Sequence, residues 1–255
     1  MSALTTRFLC LLLLLAAPLA RAAGPEIVSF DTADGFALKA DLWRSADAKA
    51  PVAILLHQFN KDRRSFAPLV PALQQRGFTV LALDQRGQGE SVRQKTAGGE
   101  RTLHVQQISR DEIGPVVEAG VQDVAAALAY LAEHGIATER VALVGSSYGC
   151  TVSLLATQTQ KSVRAVALLS PGTDYFGVDS LAAAKRFPGA LFSIAAEDDP
   201  VKVSPGSARA IAAAHDGPEE LLVYPAGGHG VALLAAHPEL APKIADFLAA
   251  AVAAK

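Results

Sequence analysis

The stretch from Val141 to Gly149 constrains this chain more than any other. Val141-Ala142-Leu143-Val144 is a short apolar run rich in β-branched residues, Gly145-Ser146-Ser147-Tyr148-Gly149 follows directly, and Cys150 to Thr157 then reads as a helix. The pattern predicts a strand, a very tight turn and a helix, with a serine at the apex. Such a turn brings backbone atoms so close that only small residues fit two places before and two places after the serine. Gly145 and Gly149 occupy those places around Ser147. The helix start aims free N–H groups and a positive dipole end at whatever is bonded to that serine. Ser147 is the candidate nucleophile. Ser146, its neighbour, lacks the flanking glycine symmetry.

The rest of the chain supplies the sheet this turn requires. Glu26 to Asp31 and Phe36 to Trp43 alternate apolar and polar residues around Asp34-Gly35, as a β-hairpin does. Val52 to Leu56, Phe78 to Leu83, Val141 to Val144, Val163 to Leu169, Ala190 to Ala195 and Glu220 to Tyr224 read as further strands. Helical spacing lies between them, at Phe66 to Gln75, Val116 to Ala132, Leu181 to Arg186, Ser207 to Ala214 and Pro238 to Ala253. Alternating strands and helices predict an α/β fold: a mostly parallel central sheet of about eight strands, helices on both faces, and one antiparallel edge. Val92 to Pro115 is an irregular insertion, expected as a surface excursion near the top of the sheet. With 255 residues, half of them apolar, and a net charge of −2, the chain is bulky enough for one large core. Its one basic cluster, Lys61-Asp62-Arg63-Arg64, is short and carries its own acid, so nucleic acid is not an expected partner.

The N-terminus reads as a targeting segment. Arg7 precedes the apolar run Phe8 to Leu15, and Ala20-Arg21-Ala22 has the small-x-small pattern of a cleavage site. Residues 1–22 are therefore assigned to a signal peptide and 23–255 to one catalytic domain, secreted or periplasmic, with no stable membrane anchor after cleavage. The apolar run falls short of the roughly 20 residues a membrane span needs. N-terminal sequencing of exported protein checks the cleavage, and an intact Met1 would contradict it. Loss of Cys10 with the signal leaves Cys150 as the only cysteine, read as a small buried packing residue.

A serine hydroxyl needs a base to take its proton, and the base needs an orienting carboxylate. In a parallel sheet such groups come from loops at the carboxyl ends of strands. After Ser147, the strand at Ala190 runs into Glu197-Asp198-Asp199-Pro200, and the strand at Glu220 runs into Gly227-Gly228-His229-Gly230. Asp199 is the candidate acid, because Pro200 fixes the turn that would point it inward. Asp198 is the alternative, and Glu197 is expected to face solvent. His229 is the candidate base. His57 precedes the nucleophile and is expected to brace its loop by hydrogen bonds. The oxyanion donors are expected to be two backbone N–H groups, those of Tyr148 and Phe59. No histidine or cysteine pair has metal-ligand spacing, and Gly87-Gln88-Gly89 lacks the third glycine of a dinucleotide loop. No metal and no cofactor are expected.

These residues together resemble the α/β-hydrolase superfamily over nearly the whole mature chain. His57-Gln58-Phe59 is similar to the family's His-Gly-x oxyanion loop, with Gln58 in place of glycine. Asp84-Gln85-Arg86-Gly87-Gln88-Gly89-Glu90-Ser91 is similar to its Asp-x-Arg-Gly-x-Gly-x-Ser turn. The elbow and the late acid and histidine complete the likeness, which carries the family's triad onto Ser147, Asp199 and His229. Only Ser170 to Phe187 is available for a cap, so the resemblance is to lightly capped members, dienelactone-hydrolase-like proteins and small esterases. It implies a secreted serine hydrolase that cleaves a small-molecule ester through an acyl-enzyme. An amide, peptide or lactone would serve the same triad, and a non-catalytic binding module of the same fold is the alternative from another class. The oligomeric state is left open.

Overall fold

The computed structural model describes residues 24–254, so the predicted signal segment lies outside the described residues. The chain opens with β1 (Glu26–Asp31) and β2 (Phe36–Trp43), paired antiparallel, then β3 (Val52–Leu56), α1 (Val70–Gln75) and β4 (Thr79–Leu83). A hairpin follows, β5 (Arg93–Thr96) with β6 (Gly99–Thr102), and then α2 (Arg110–Ala119) and α3 (Val121–Glu133). Next come β7 (Val141–Ser146), α4 (Tyr148–Ala156) and β8 (Val163–Leu169). A two-stranded ribbon, β9 (Asp174–Tyr175) and β10 (Val178–Asp179), leads to α5 (Leu181–Arg186). The chain closes with β11 (Ala190–Ala196), α6 (Ser204–Ala214), β12 (Glu219–Tyr224), α7 (Ala232–Ala236) and α8 (Leu240–Ala253).

Ten strands form one sheet, in the order β12-β11-β8-β7-β3-β4-β2-β5-β6, with β1 paired to β2. From β4 to β12 the neighbours are parallel. Strands buried on both faces are apolar at nearly every position; β3 and β4 are buried throughout, and the one polar residue among them, Thr79, accepts the Ser45 N–H. Successive residues then feed opposite layers. Ile54, Leu56, Leu143 and Leu168 pack with α3 and α4 residues such as Val124, Leu131 and Val152. Leu55, Val144, Leu169 and Ile194 pack with α1 and α8 through Leu73, Ile244 and Leu248. Each fully buried leucine or isoleucine here contributes roughly 1.5–3 kcal/mol.

The structure departs from the sequence reading in several places. The sheet has two strands more than the eight expected, because residues 93–102 pair onto β2 instead of staying irregular. Only Gln94 of that hairpin is buried, so no apolar alternation announced it. The single helix expected over Val116 to Ala132 is two helices meeting at Gly120. The first starts earlier, at a Ser109–Glu112 capping box. The helix expected from Phe66 begins instead as a 3-10 turn, Arg63–Phe66, and α1 starts only at Val70. Pro68 lies between them, and proline has no N–H to continue a helix. The expected final helix is preceded by the separate α7, with His237 and Pro238 between it and α8.

Two buried arginines fix the loops above β3 and β4. Arg63 is 1% exposed. It reaches Asp41 at 2.7 Å, Asp84 at 2.5 Å and Glu90 at 2.8 Å. Arg86 bonds Asp123 at 2.7 Å and Asp34 at 2.7 Å, and lies over the Phe36 ring. A buried charge persists only when paired and hydrogen-bonded, and both meet that condition. Asp84 also accepts the backbone N–H groups of Arg63 and Glu90, so one carboxylate ties both loops together.

Candidate active site

Ser147 sits between β7 and α4 with φ 49° and ψ −112°, a conformation L-residues rarely adopt. Its N–H donates to the Leu169 carbonyl on the neighbouring strand at 2.8 Å, which pins the turn to the sheet. The two glycines are needed for the reason the sequence suggests. A Cβ on Gly149 would collide with the Leu56 carbonyl, and one on Gly145 would collide with the Gly149 carbonyl. Ser146 faces elsewhere: it is fully buried, and its hydroxyl donates to Gln58 Oε1 at 2.9 Å. Ser147 keeps some exposure, and α4 begins at the next residue.

Asp199 and His229 meet. The Nδ1 of His229 lies 2.9 Å and 2.8 Å from the two carboxylate oxygens of Asp199. The carboxylate also accepts the Val201 N–H at 2.7 Å. The position after Asp199 is proline, so the next available N–H is that of Val201. Burial alone would raise the Asp199 pKa, but hydrogen bonds from His229, Ser170 and Val201 outweigh it and hold the carboxyl below its ordinary value. An ionised, acceptor-only Asp199 requires the proton on Nδ1, which leaves Nε2 of His229 as an acceptor. Asp198 serves the loop instead of the ring, its Oδ1 accepting the N–H groups of Gly227 and Gly228, both at 2.9 Å. Glu197 is exposed and pairs with Arg209.

The loop after β3 is braced as a unit. His57 is fully buried; its Nδ1 donates to the Gln58 carbonyl at 2.8 Å, and its Nε2 accepts the Gln85 N–H at 3.2 Å. Burial lowers its pKa, so the ring stays neutral in that tautomer. Phe59 follows, its ring centroid 6.3 Å from that of Tyr148 and 5.5 Å from that of Phe176. Phe59 is on the loop and Tyr148 opens α4, and among the described residues neither backbone N–H has a protein acceptor. Gln58, the departure from the family pattern, ties three parts of the site together: its Oε1 accepts from Ser146 and also from the Val231 N–H at 3.0 Å, beside the His229 loop.

Sequence reasoning missed Ser170. It directly follows β8 with φ 54°, a strained value for a non-glycine residue, and it is fully buried. Its hydroxyl accepts the Gly230 N–H at 2.8 Å and donates to Asp199, so one atom joins the acid to the histidine loop. No local signal marks it, because its partners are 29 and 60 residues away. Cys150 is fully buried, and burial raises its pKa well above that of a free thiol. Its Sγ contacts the Leu169 carbonyl. Among the described residues, no group of three or more histidine, cysteine or acidic side chains is arranged to hold a metal.

A sequence profile described as alpha/beta hydrolase fold matches residues 51–221, two thirds of the chain. Among curated proteins, Epoxide hydrolase B of Mycobacterium tuberculosis is 29% identical over 76 residues, which is 30% of this chain and 20% of that protein. The chain thus aligns with only a fifth of that relative's length. Among solved structures, the esterase Pf2001 of Pyrococcus furiosus superposes with a TM-score of 0.70 at 20% identity, covering 89% of this chain and 93% of the other. A dienelactone hydrolase of Anabaena variabilis gives 0.63 at 15% identity, covering 89% and 96%. At these identities the superpositions establish a shared fold.

Proposed function

The chain belongs to the α/β-hydrolase family, and from that premise we propose that it is a serine hydrolase of ester bonds. Ser147 attacks the ester carbonyl while Nε2 of His229 takes its proton. Asp199 holds the imidazole in the required tautomer and stabilises the imidazolium. The oxyanion of the tetrahedral intermediate is received by the N–H groups of Tyr148 and Phe59. The alcohol leaves with the proton from His229. Water then attacks the acyl-enzyme, giving its own proton to the same nitrogen, and Ser147 is released with its hydroxyl restored.

The observation that carries this reading is the pair at 2.8–2.9 Å between His229 and a buried, ionised Asp199. It stands at the same sheet end as a serine forced to positive φ at a helix start. An inert scaffold has no use for a strained serine, an oriented imidazole and two unpartnered N–H groups together. The light cap suits small substrates: one ribbon and one short helix cover the segment from Ser170 to Phe187. Open-chain esters and lactones present the same carbonyl to this geometry.

A fluorophosphonate probe tests the reading directly. It reacts with an activated serine and ignores an ordinary one. The expected result is stoichiometric labelling of the purified protein at Ser147, together with turnover of a small activated ester. Failure of both would overturn the proposal.

A further inference from the structure

The loop that carries His229 has a long way to travel. It leaves β12, at one edge of the sheet, while Ser147 follows β7, three strands inward. At about 4.8 Å per strand, the imidazole must be brought roughly 14 Å across the sheet. Gly227, Gly228 and Gly230 make this loop too pliant to hold such a path by itself. Its backbone N–H groups are instead taken up one strand at a time. Asp198, after β11, accepts from Gly227 and Gly228, both at 2.9 Å. Ser170, after β8, accepts from Gly230 at 2.8 Å. Gln58, after β3, accepts from Val231 at 3.0 Å through Oε1. The same oxygen accepts the Ser146 hydroxyl at 2.9 Å, from the end of β7.

The last of these anchors differs from the others. Asp198 and Ser170 follow β11 and β8, on the side of the site that supplies the acid. Among the described residues, Gln58 alone is hydrogen-bonded both to the histidine loop and to the strand that ends in the nucleophile. Its stem is stiff. Leu56 pairs with Gly145 across β3 and β7, and the Gln58 carbonyl accepts from His57 Nδ1 at 2.8 Å and from the Lys61 N–H at 3.2 Å. The approach is close as well. A Cβ on Gly230, which has φ 62°, would collide with both Gln58 Oε1 and Ser146 Oγ. The Val231 N–H can only donate, so the side-chain amide must present its oxygen to the loop.

We propose that Gln58 is a positioning residue: its Oε1 clamps the far end of the histidine loop to the elbow and so sets the distance from Nε2 of His229 to the Ser147 hydroxyl. In this role it touches no reacting atom. Without it the imidazole would stay paired with Asp199 and pivot about that bond, carrying Nε2 away from Ser147. A base acts only within about 2.6–3.2 Å of the proton it takes, and a misplacement of about 1 Å can cost a hundredfold. The clamp therefore acts on the rate and leaves substrate binding alone.

The role rests on the serine-hydrolase reading, and Gln58→Met tests it. Methionine keeps the length of the side chain and removes the acceptor. On a small activated ester, kcat is expected to fall about tenfold to a hundredfold, with KM within about twofold. Rates are taken per site titrated by a fluorophosphonate, so that unfolded protein is not counted. The variant leaves the Ser146 hydroxyl buried without a partner, which should lower the melting temperature. Adding Ser146→Ala removes that orphan. The double variant should regain melting temperature but not kcat, because the Val231 N–H still lacks its acceptor. If Gln58→Met is too unstable to purify, the double variant is compared with Ser146→Ala alone, under the same thresholds. A kcat within about twofold of wild type, a loss carried wholly by KM, or a kcat that recovers together with the melting temperature would each overturn the role. Ser147→Ala, measured alongside, separates the two claims. If it retains activity, the serine mechanism itself fails; if it is inactive while Gln58→Met turns over normally, only the role of Gln58 fails.

Discussion

Replacing Ser147 with alanine is expected to lower hydrolysis of a small activated ester by about 10⁴–10⁶-fold and to abolish labelling by a fluorophosphonate. The substitution removes only Oγ. Alanine at φ 49° carries the same backbone strain as serine, and the N–H to Leu169 is untouched, so the fold should be retained. What disappears is the atom that forms the acyl bond. The residual rate would come from the N–H groups of Tyr148 and Phe59 polarising a carbonyl for direct attack by water. Ser146→Ala is the internal contrast, since its hydroxyl is spent on Gln58 and the variant loses a brace rather than a nucleophile. Equal activity in wild type and Ser147→Ala, measured by burst and steady-state kinetics, would exclude the acyl-enzyme route.

The elbow was legible because its demands are local. Gly145 and Gly149 are required by atoms within a few residues or on the adjacent strand, and such collisions leave a fixed spacing in the sequence. The central strands were legible for a similar reason: burial on both faces selects apolar side chains at nearly every position, with only a few small hydroxyl residues such as Thr79 and Ser193 among them. Asp199 could be chosen over Asp198 from Pro200, and the structure gives the two acids separate work, one on the imidazole ring and one on the loop that carries it. Ser170 and Gln58 were not legible in these roles. Each acts through contacts made only when strands distant in sequence come together, and serine and glutamine are ordinary residues in loops. Arg63 illustrates the same limit. In sequence it belongs to the short charged cluster Lys61 to Arg64, where nothing local marks it for burial, yet the fold buries it against three carboxylates. The β5–β6 hairpin escaped notice because polar edge strands have no buried face to impose a period.

The substitution Asp199→Asn asks the sharpest question of the geometry, because it changes no volume. An asparagine offers an N–H₂ as well as a carbonyl, and the buried amide would seek partners for both. The Val201 N–H needs an acceptor, and so does the Ser170 hydroxyl. The carbonyl oxygen would satisfy them, turning the N–H₂ toward Nδ1 of His229. Nδ1 must then accept, and the proton moves to Nε2, where it blocks transfer from Ser147. The expected result is a fall in kcat of about 10⁴ at neutral pH with little change in melting temperature, the size of effect a wrong tautomer produces in serine enzymes with this triad. Asp198→Asn makes a different change, since an asparagine oxygen can still accept from Gly227 and Gly228, so its loss should be far smaller. Measuring kcat for both variants across pH distinguishes an acid that orients the base from one that only holds the loop. An Asp199→Asn variant that kept more than about a tenth of wild-type kcat would mean that His229 does not depend on that carboxylate for its tautomer.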